Sequence, residues 1–272
     1  MRISFSMTSK IVTLTTDFGL KDSYVAEIKA VILRLCKKAI IVDITHEVAK
    51  FNTRMGAYVL VCSAPYFPNG SVHLAVVDPG VGTKRRPIVI QTQKGFFVGP
   101  DNGILFLAAE KQGIISIHEL SNPELMEPKV SNTFHGRDVF APAAAHLARG
   151  VNPEDFGPKI SEVEKSEFSI ITRKEGRLVG MVLHVDGFGN IVTNITEKEM
   201  EQFHAKEKVS IELPNYKGKL KLCKAYGEAK HFEPLALVGS HNFLEIAINQ
   251  GNASKKLKVN PGDEIKLLLK SS

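Results

Sequence analysis

Residues 74–86 read Leu-Ala-Val-Val-Asp-Pro-Gly-Val-Gly-Thr-Lys-Arg-Arg, and the fold turns on how this stretch is read. An apolar run ends abruptly in a carboxylate, Asp78. Pro79, Gly80 and Gly82 then force a tight, exposed turn, and the chain returns through Arg85 and Arg86 into a second apolar run, Pro87 to Ile90. Strand ends of this kind are where open α/β sheets place ligand chemistry. An acid and a guanidinium seven residues apart across a glycine loop can converge on one small molecule. The same spacing also suits a loop held by a surface ion pair, and spacing alone leaves both open.

Outward from this loop, the first half of the chain alternates strands with helices. Strands are read at 11–15, 39–44, 72–77, 87–92, 96–98 and 114–120, and helices at 23–36, 52–62, 103–111 and 138–149. Apolar residues at 24, 25, 28, 31, 32 and 35 give the first helix its period, with Asp22 or Ser23 available as its N-cap. Strands separated by helices of this length predict a mainly parallel sheet covered by helices on both faces. Residues 151–178 are polar, carry Pro153 and Pro158, and read as a connecting segment. Beyond Gly180 the strands crowd together, at 181–185, 191–195, 209–213, 219–223, 235–238, 243–248 and 263–269, with one helix at 197–203. This pattern predicts a smaller antiparallel β domain, barrel-like or a sandwich. The expected division is an N-terminal α/β domain over 9–172 and a C-terminal β domain over 179–272.

Composition narrows the function. A chain of 272 residues with 43% hydrophobic content can bury a large core. The excess of 35 Lys+Arg over 29 Asp+Glu is small and scattered, and no basic run with interleaved aromatics marks a nucleic-acid surface. Three cysteines, Cys36, Cys62 and Cys223, stand far apart, outside any Cys-x-x-Cys or Cys/His cluster, so neither a disulfide framework nor a metal site is expected. No apolar stretch is long enough to span a bilayer, and none near the N-terminus reads as a signal peptide. Residues 1–8 read as an extension before the first strand. The expectation is a cytoplasmic protein without membrane or nucleic-acid partners.

Several other strand and helix ends carry candidate chemistry. Asp17 closes the first strand, and its two oxygens match a ribose diol, although capping of the turn also accounts for it. Asp22 is covered by N-capping. His46 and Glu47 are adjacent, so on an extended chain they face opposite ways, which argues against a shared metal. Phe51 reads as a core residue or as the apolar wall of a pocket. His135 and Gly136 precede the alanine-rich helix, where backbone donors can face a ligand and His135 can orient a water or take its proton. Arg137 and Asp138 read as structural closure of the helix start. In the second domain, Gly187 and Gly189 make a hairpin turn. Beside them, Asn190 offers an amide suited to the edge of adenine, Phe188 an aromatic ring that can stack, and Asn194 a second amide. Ser240 and residues 249–252 are loop positions that ligand contact or ordinary turns both explain.

Six motifs in order then resemble one family. They are Thr-Thr-Asp-Phe-Gly (15–19) with Asp-Ser-Tyr (22–24), Val-Asp-Pro-Gly-Val-Gly-Thr-x-Arg (77–85), Val-Gly-Pro-Asp-Asn-Gly (98–103), Phe-His-Gly-Arg-Asp-x-Phe-Ala-Pro (134–142), Asp-Gly-Phe-Gly-Asn (186–190) and Leu-Glu-Ile-Ala-x-Asn (244–249). Together they resemble the S-adenosylmethionine (SAM) hydroxide adenosyltransferases, relatives of the fluorinase and chlorinase, from about residue 11 to the end. The resemblance implies a two-domain fold and hydrolysis of SAM, as substrate and not as cofactor, to adenosine and methionine. It also implies a homotrimer whose sites lie between the N-terminal domain of one subunit and the C-terminal domain of its neighbour. By motif position Asp17 would hold the ribose hydroxyls, Asp78, Arg85 and His135 would hold and activate the water, Asn190 would read adenine, and Asp22 and Ser240 would grip the methionine end. Phe51 falls where the family places an aromatic wall. The halogenating relatives carry tyrosine where this chain has Asp78, and a carboxylate there repels halide while welcoming water. SAM-dependent halogenation and adenosine binding without turnover stay open as alternatives.

Overall fold

The computed structural model describes residues 11–174, 176–202 and 207–268. The chain divides into two compact units between Ser166 and Glu167. Residues 1–8 and the ends of the helix at 197–203 and the strand at 263–269 fall outside the described residues.

The N-terminal unit is a six-stranded sheet in the order β2-β1-β3-β5-β4-β6, where β1 is Ile11–Thr16, β2 Ile40–Thr45, β3 Ser71–Val76, β4 Pro87–Thr92, β5 Gly95–Pro100 and β6 Ile114–Glu119. The pairs β1–β2, β1–β3 and β3–β5 are parallel. β4 runs antiparallel to both neighbours, because only residues 93 and 94 separate it from β5, too few for a crossover. Helices α1 (Tyr24–Leu35), α2 (Thr53–Ser63), α3 (Phe106–Lys111) and α4 (Ala141–Ala148) cover the sheet. Val12, Leu14, Val72, Leu74 and Val76 form one core with Ile28 and Ile32 of α1 and the alanines of α4. The alternate residues point to the opposite face, where Thr13 Oγ1 meets His73 Nδ1 at 2.9 Å and α2 packs on α3. Gly56 permits that packing: a Cβ there would stand 2.8 Å from Ile104 Cδ1.

Residues 151–166, read as connecting chain, are largely built into this unit. Phe156 is fully buried in its core, the backbone of Lys159 pairs with that of His118 in an isolated antiparallel β-bridge, and the Glu164 N–H donates to Asp101 at 2.8 Å. A polar segment can be structural when its backbone is tied down, and composition does not report that.

The C-terminal unit is a closed barrel. In it, β14 (Glu264–Leu268), β10 (Lys208–Leu213), β11 (Tyr216–Cys223), β12 (Pro234–Val238), β13 (Phe243–Ile248), β9 (Ile191–Thr196) and β8 (Arg177–Val185) follow one another, and β14 closes onto β8. A short strand, β7 (Thr172–Lys174), adds to the outside of β8. Closure leaves the ring without an open edge, and alternate residues such as Leu178, Val182, Ile211, Ile246 and Ile265 fill its interior. One pair departs from the antiparallel expectation: β11 and β12 are parallel. Their link over residues 224–233 is long enough to cross over, and its short 3₁₀ turn Tyr226–Glu228 delivers Tyr226 to a cavity described below.

Candidate active site

A cavity of about 360 Å³ opens beside the ends of β1 and β3 in the N-terminal unit. Asp78, His135, Asp17, Asp22 and Phe51 all line it, with Phe18, Tyr24, Lys50 and Phe134. These residues come from four loops that the parallel topology brings to one end of the sheet.

Asp78 leaves the apolar strand and meets Arg85 across the glycine loop in a forked ion pair, Nε to Oδ1 at 3.1 Å and Nη2 to Oδ2 at 2.5 Å. The loop reading as a surface ion pair is therefore corrected: the two side chains are only 6% and 7% exposed. Gly82 makes the tight return possible, since it stands at φ +75° and a Cβ would lie 2.2 Å from the Asn132 carbonyl oxygen. The loop is braced from both sides by the 98–103 motif. Asn102 Nδ2 donates to the Val77 carbonyl at 2.9 Å, and Asp101 receives Arg86 at 2.5 and 3.0 Å.

Arg85 Nη2 also lies 3.1 Å from His135 Nδ1, and its guanidinium sits over the Phe140 ring, 5.3 Å from the centroid. A guanidinium only donates, so Nδ1 accepts, and the neutral imidazole carries its proton on Nε2. Burial and the adjacent Arg85 charge push the His135 pKa down, which favours that neutral form. Burial pushes the Asp78 carboxyl up, against the pull of Arg85 and His135. The set thus holds a carboxylate of raised basicity and an imidazole N–H donor, both locked by one arginine.

His135 stands at the N-cap of a π-helical turn, Gly136–Phe140, that leads into α4. Arg137 and Asp138 have the structural role expected of them. Arg137 bridges Glu27 and Asp138, and Asp138 Oδ2 accepts the Ser131 N–H at 2.8 Å.

Asp17 is 6% exposed, and its Oδ2 accepts the Phe51 N–H at 2.8 Å. Its carbonyl receives Lys50 Nζ. Phe51 is not a core residue: it is 71% exposed and stands at φ +63°, a conformation costly for a side chain with a Cβ. The Asp17 bond to its N–H holds it there. Asp22 does not cap α1. The N-cap is Ser23, already in a helical conformation and without a side-chain cap bond, and the exposed Asp22 carboxylate borders the cavity instead. Phe18, Tyr24 and Phe134, whose roles the sequence reading did not single out, pack edge to face at centroid distances of 5.2 to 5.9 Å and form an aromatic wall. Each sits in or beside a motif already noticed, which was the available signal.

His46 is buried and bonded to Thr16 Oγ1 at 2.8 Å, while Glu47 is exposed, so the pair faces opposite ways. Among the described residues no group of three or more His, Cys, Asp or Glu is placed to hold a metal ion. All three cysteines are buried. No helix among the described residues is long and apolar enough to cross a membrane.

The C-terminal unit has its own cavity, about 510 Å³, at the mouth of the barrel. Phe188, 82% exposed, and Asn190 line it, together with Asp186, Tyr226, Ile248, Gln250 and Gly251. Asp186 builds the hairpin turn: its Oδ1 accepts the N–H groups of Phe188 and Asn190, and its Oδ2 accepts Asn190 Nδ2, all at 2.9 Å. Tyr226 donates its hydroxyl to Glu245 Oε2 at 2.9 Å. Burial and then that carboxylate push the Tyr226 pKa up to about 12. Asn194 is not brought to Asn190. Its amide is spent on the Phe168 and Ile170 carbonyls and the Met181 N–H. Asn249 and Asn252 likewise serve the fold, the first bonding the Ala229 carbonyl and the second capping a short helix, Ala253–Leu257. Ser240 lies on an exposed loop beside His241 and is not among the residues lining this cavity.

These units define a class: an α/β domain carrying an interlocked Asp–Arg–His set, followed by a closed β-barrel with a polar-aromatic mouth. Residues 12–157 match the model of the SAM hydroxide adenosyltransferase N-terminal domain and residues 180–266 that of its C-terminal domain. The chain belongs to the SAM hydroxide adenosyltransferase family. A Methanocaldococcus jannaschii protein named (R)-S-adenosyl-L-methionine hydrolase is 41% identical over 95% of each chain. A Thermus thermophilus protein of the same name is 37% identical over 93% of this chain and 97% of its own. A fluorinase of Actinopolyspora mzabensis is more distant, at 24% identity over 97% of this chain and 99% of its own. Among solved structures, an uncharacterized conserved protein from Thermotoga maritima matches with a TM-score of 0.86 at 41% identity, covering 95% of this chain and 99% of that one.

Proposed function

We propose that this protein hydrolyses SAM to adenosine and L-methionine by in-line attack of water on the ribose 5′-carbon. The observation that carries the reading is the Asp78–Arg85–His135 set, locked and bordering the cavity in a chain whose nearer relatives bear the name SAM hydrolase. Those names specify the (R) sulfonium, and the same epimer is the proposed substrate.

The chemistry suits the residues. Displacement at C5′ breaks the C–S bond, and its electron pair stays on sulfur as the neutral thioether of methionine. The sulfonium therefore needs no general acid, metal or cofactor to leave. The demand falls on the water, which must be aligned and must lose a proton as the new C–O bond forms. His135 donates Nε2–H to the water oxygen and orients it, while Asp78, with lone pairs left beside its bonds to Arg85, takes the proton. Orientation of this kind is worth roughly 7–11 kcal/mol at best. A carboxylate at this position also repels halide, which favours water over halogenation.

In the same reading Asp17 holds the ribose hydroxyls, Phe51 walls the nucleoside, and Asp22 meets the ammonium of the methionine end. Asn190 and Phe188 of the C-terminal cavity read and stack the adenine, and Ser240 contacts the methionine end. We assign the complete site to a homotrimer in which the N-terminal cavity of one subunit is completed by the C-terminal domain of its neighbour. Each unit carries only part of the proposed contacts, and that supports the assignment. Light scattering would show a particle of three times 29.9 kDa; a monomer with full activity would contradict it. Chromatography after incubation with SAM, with and without chloride, tests the reaction. Equal adenosine and methionine, lost in Asp78→Ala, are expected; a chlorinated nucleoside, or an unchanged rate in that variant, would contradict the reading.

A further inference from the structure

Asp186 is fixed by the chain itself. Its Oδ1 accepts two backbone N–H groups of the turn it heads, from Phe188 and Asn190, and this leaves Oδ2 facing the Asn190 side chain, 2.9 Å from Nδ2. A carboxylate accepts and an amide has two unlike ends. Nδ2 must therefore be the end turned to Asp186, and Oδ1 the end left toward the cavity that Asn190 lines. Asn190 is 7% exposed, and reversing its amide would set oxygen against oxygen.

We propose that Asp186 is a positioning residue that sets the base specificity of this cavity: by locking the Asn190 amide in one orientation it presents an acceptor, so that a 6-aminopurine is taken and a 6-oxopurine refused. The proposal rests on the reading of this cavity as the adenine subsite. The exocyclic amine of adenine donates to Asn190 Oδ1. The oxygen of hypoxanthine at the same position would meet it acceptor to acceptor, and an unpaired buried polar group discriminates strongly.

The isosteric variant Asp186→Asn inverts the arrangement. The two backbone N–H groups still require an oxygen at the Oδ1 position, so the new amide nitrogen takes the place of Oδ2 and donates. Asn190 then turns its oxygen inward and its nitrogen to the cavity, where it suits a 6-oxopurine.

The test compares dissociation constants of adenosine and inosine for the wild-type protein, Asp186→Asn and Asn190→Ala, with thermal melts of each. Wild type should prefer adenosine. In Asp186→Asn the adenosine preference should fall by about tenfold or more, with inosine binding improved in absolute terms. Asn190→Ala should weaken adenosine without improving inosine, and the wild-type preference should return in neither variant. Asp186→Asn that keeps the wild-type preference, or that loses both affinities in proportion with a lowered melting temperature, would overturn the proposal and leave Asp186 as a turn-former. Unchanged adenosine affinity in Asn190→Ala would overturn the adenine subsite itself, and the proposal with it.

Discussion

Arg85 holds His135 and Asp78 with the same nitrogen: Nη2 is 3.1 Å from His135 Nδ1 and 2.5 Å from Asp78 Oδ2. This sharing makes the three residues one unit. Lysine has a single ammonium and cannot reproduce the fork. Arg85→Lys is expected to lower kcat by about 10²–10⁴-fold, with KM for SAM little changed. Steady-state kinetics check this, and a loss confined to KM would mean that Arg85 serves binding only.

The pH profile should have an acid limb. Asp78 must be ionised to take a proton, and its pKa is raised above the ordinary 3.8. His135 must be neutral to accept from Arg85, and its pKa is lowered below the ordinary 6.5. Both conditions fail as pH falls and neither fails as it rises. kcat/KM should therefore be level just above neutrality and drop as pH falls, with a midpoint above the ordinary aspartate value of 3.8. A rate that stays level down to that value, or that rises as pH falls, would contradict the assignment.

Phe51 should trade stability for binding. At φ +63° it carries a left-handed penalty of about 1–2 kcal/mol that glycine does not. Phe51→Gly and Phe51→Ala both remove the ring, so both should raise KM for SAM. Only Phe51→Ala keeps the strain, and it should melt at a lower temperature than Phe51→Gly. Equal melting temperatures would show that the Asp17 bond to the Phe51 N–H is not holding a strained residue.

Asn102 acts at one remove. Its amide fixes the carbonyl of Val77, the residue before Asp78. Asn102→Ala should reduce kcat several-fold through a displaced Asp78, with the protein folded and KM nearly unchanged. An unaltered kcat would show that the ion pair with Arg85 positions Asp78 unaided.

Much of this was legible in the chain. Apolar runs ending in Asp17 and Asp78 announced the ends of a parallel sheet, and the dense strands after Gly180 announced the β unit. Burial was not legible: spacing cannot tell an exposed Asp78–Arg85 pair from one 6–7% exposed. Phe51 misled because aromatic character favours a core, while its exposure depends on a bond from a residue 34 positions away. Asp22 misled because capping depends on local dihedrals, and Ser23 already being helical moves the cap past it. Asn194 resembled Asn190 in sequence, yet it lies within β9, where the Phe168 and Ile170 carbonyls and the Met181 N–H take up its amide.

The central claim is that water attacks the ribose 5′-carbon, and isotope labelling reads this directly. Turnover of SAM in H₂¹⁸O, followed by mass spectrometry of the products, should place one ¹⁸O in the 5′-hydroxyl of adenosine and none in methionine. Adenosine without the label, label in the amino-acid product, or no adenosine at all would contradict it.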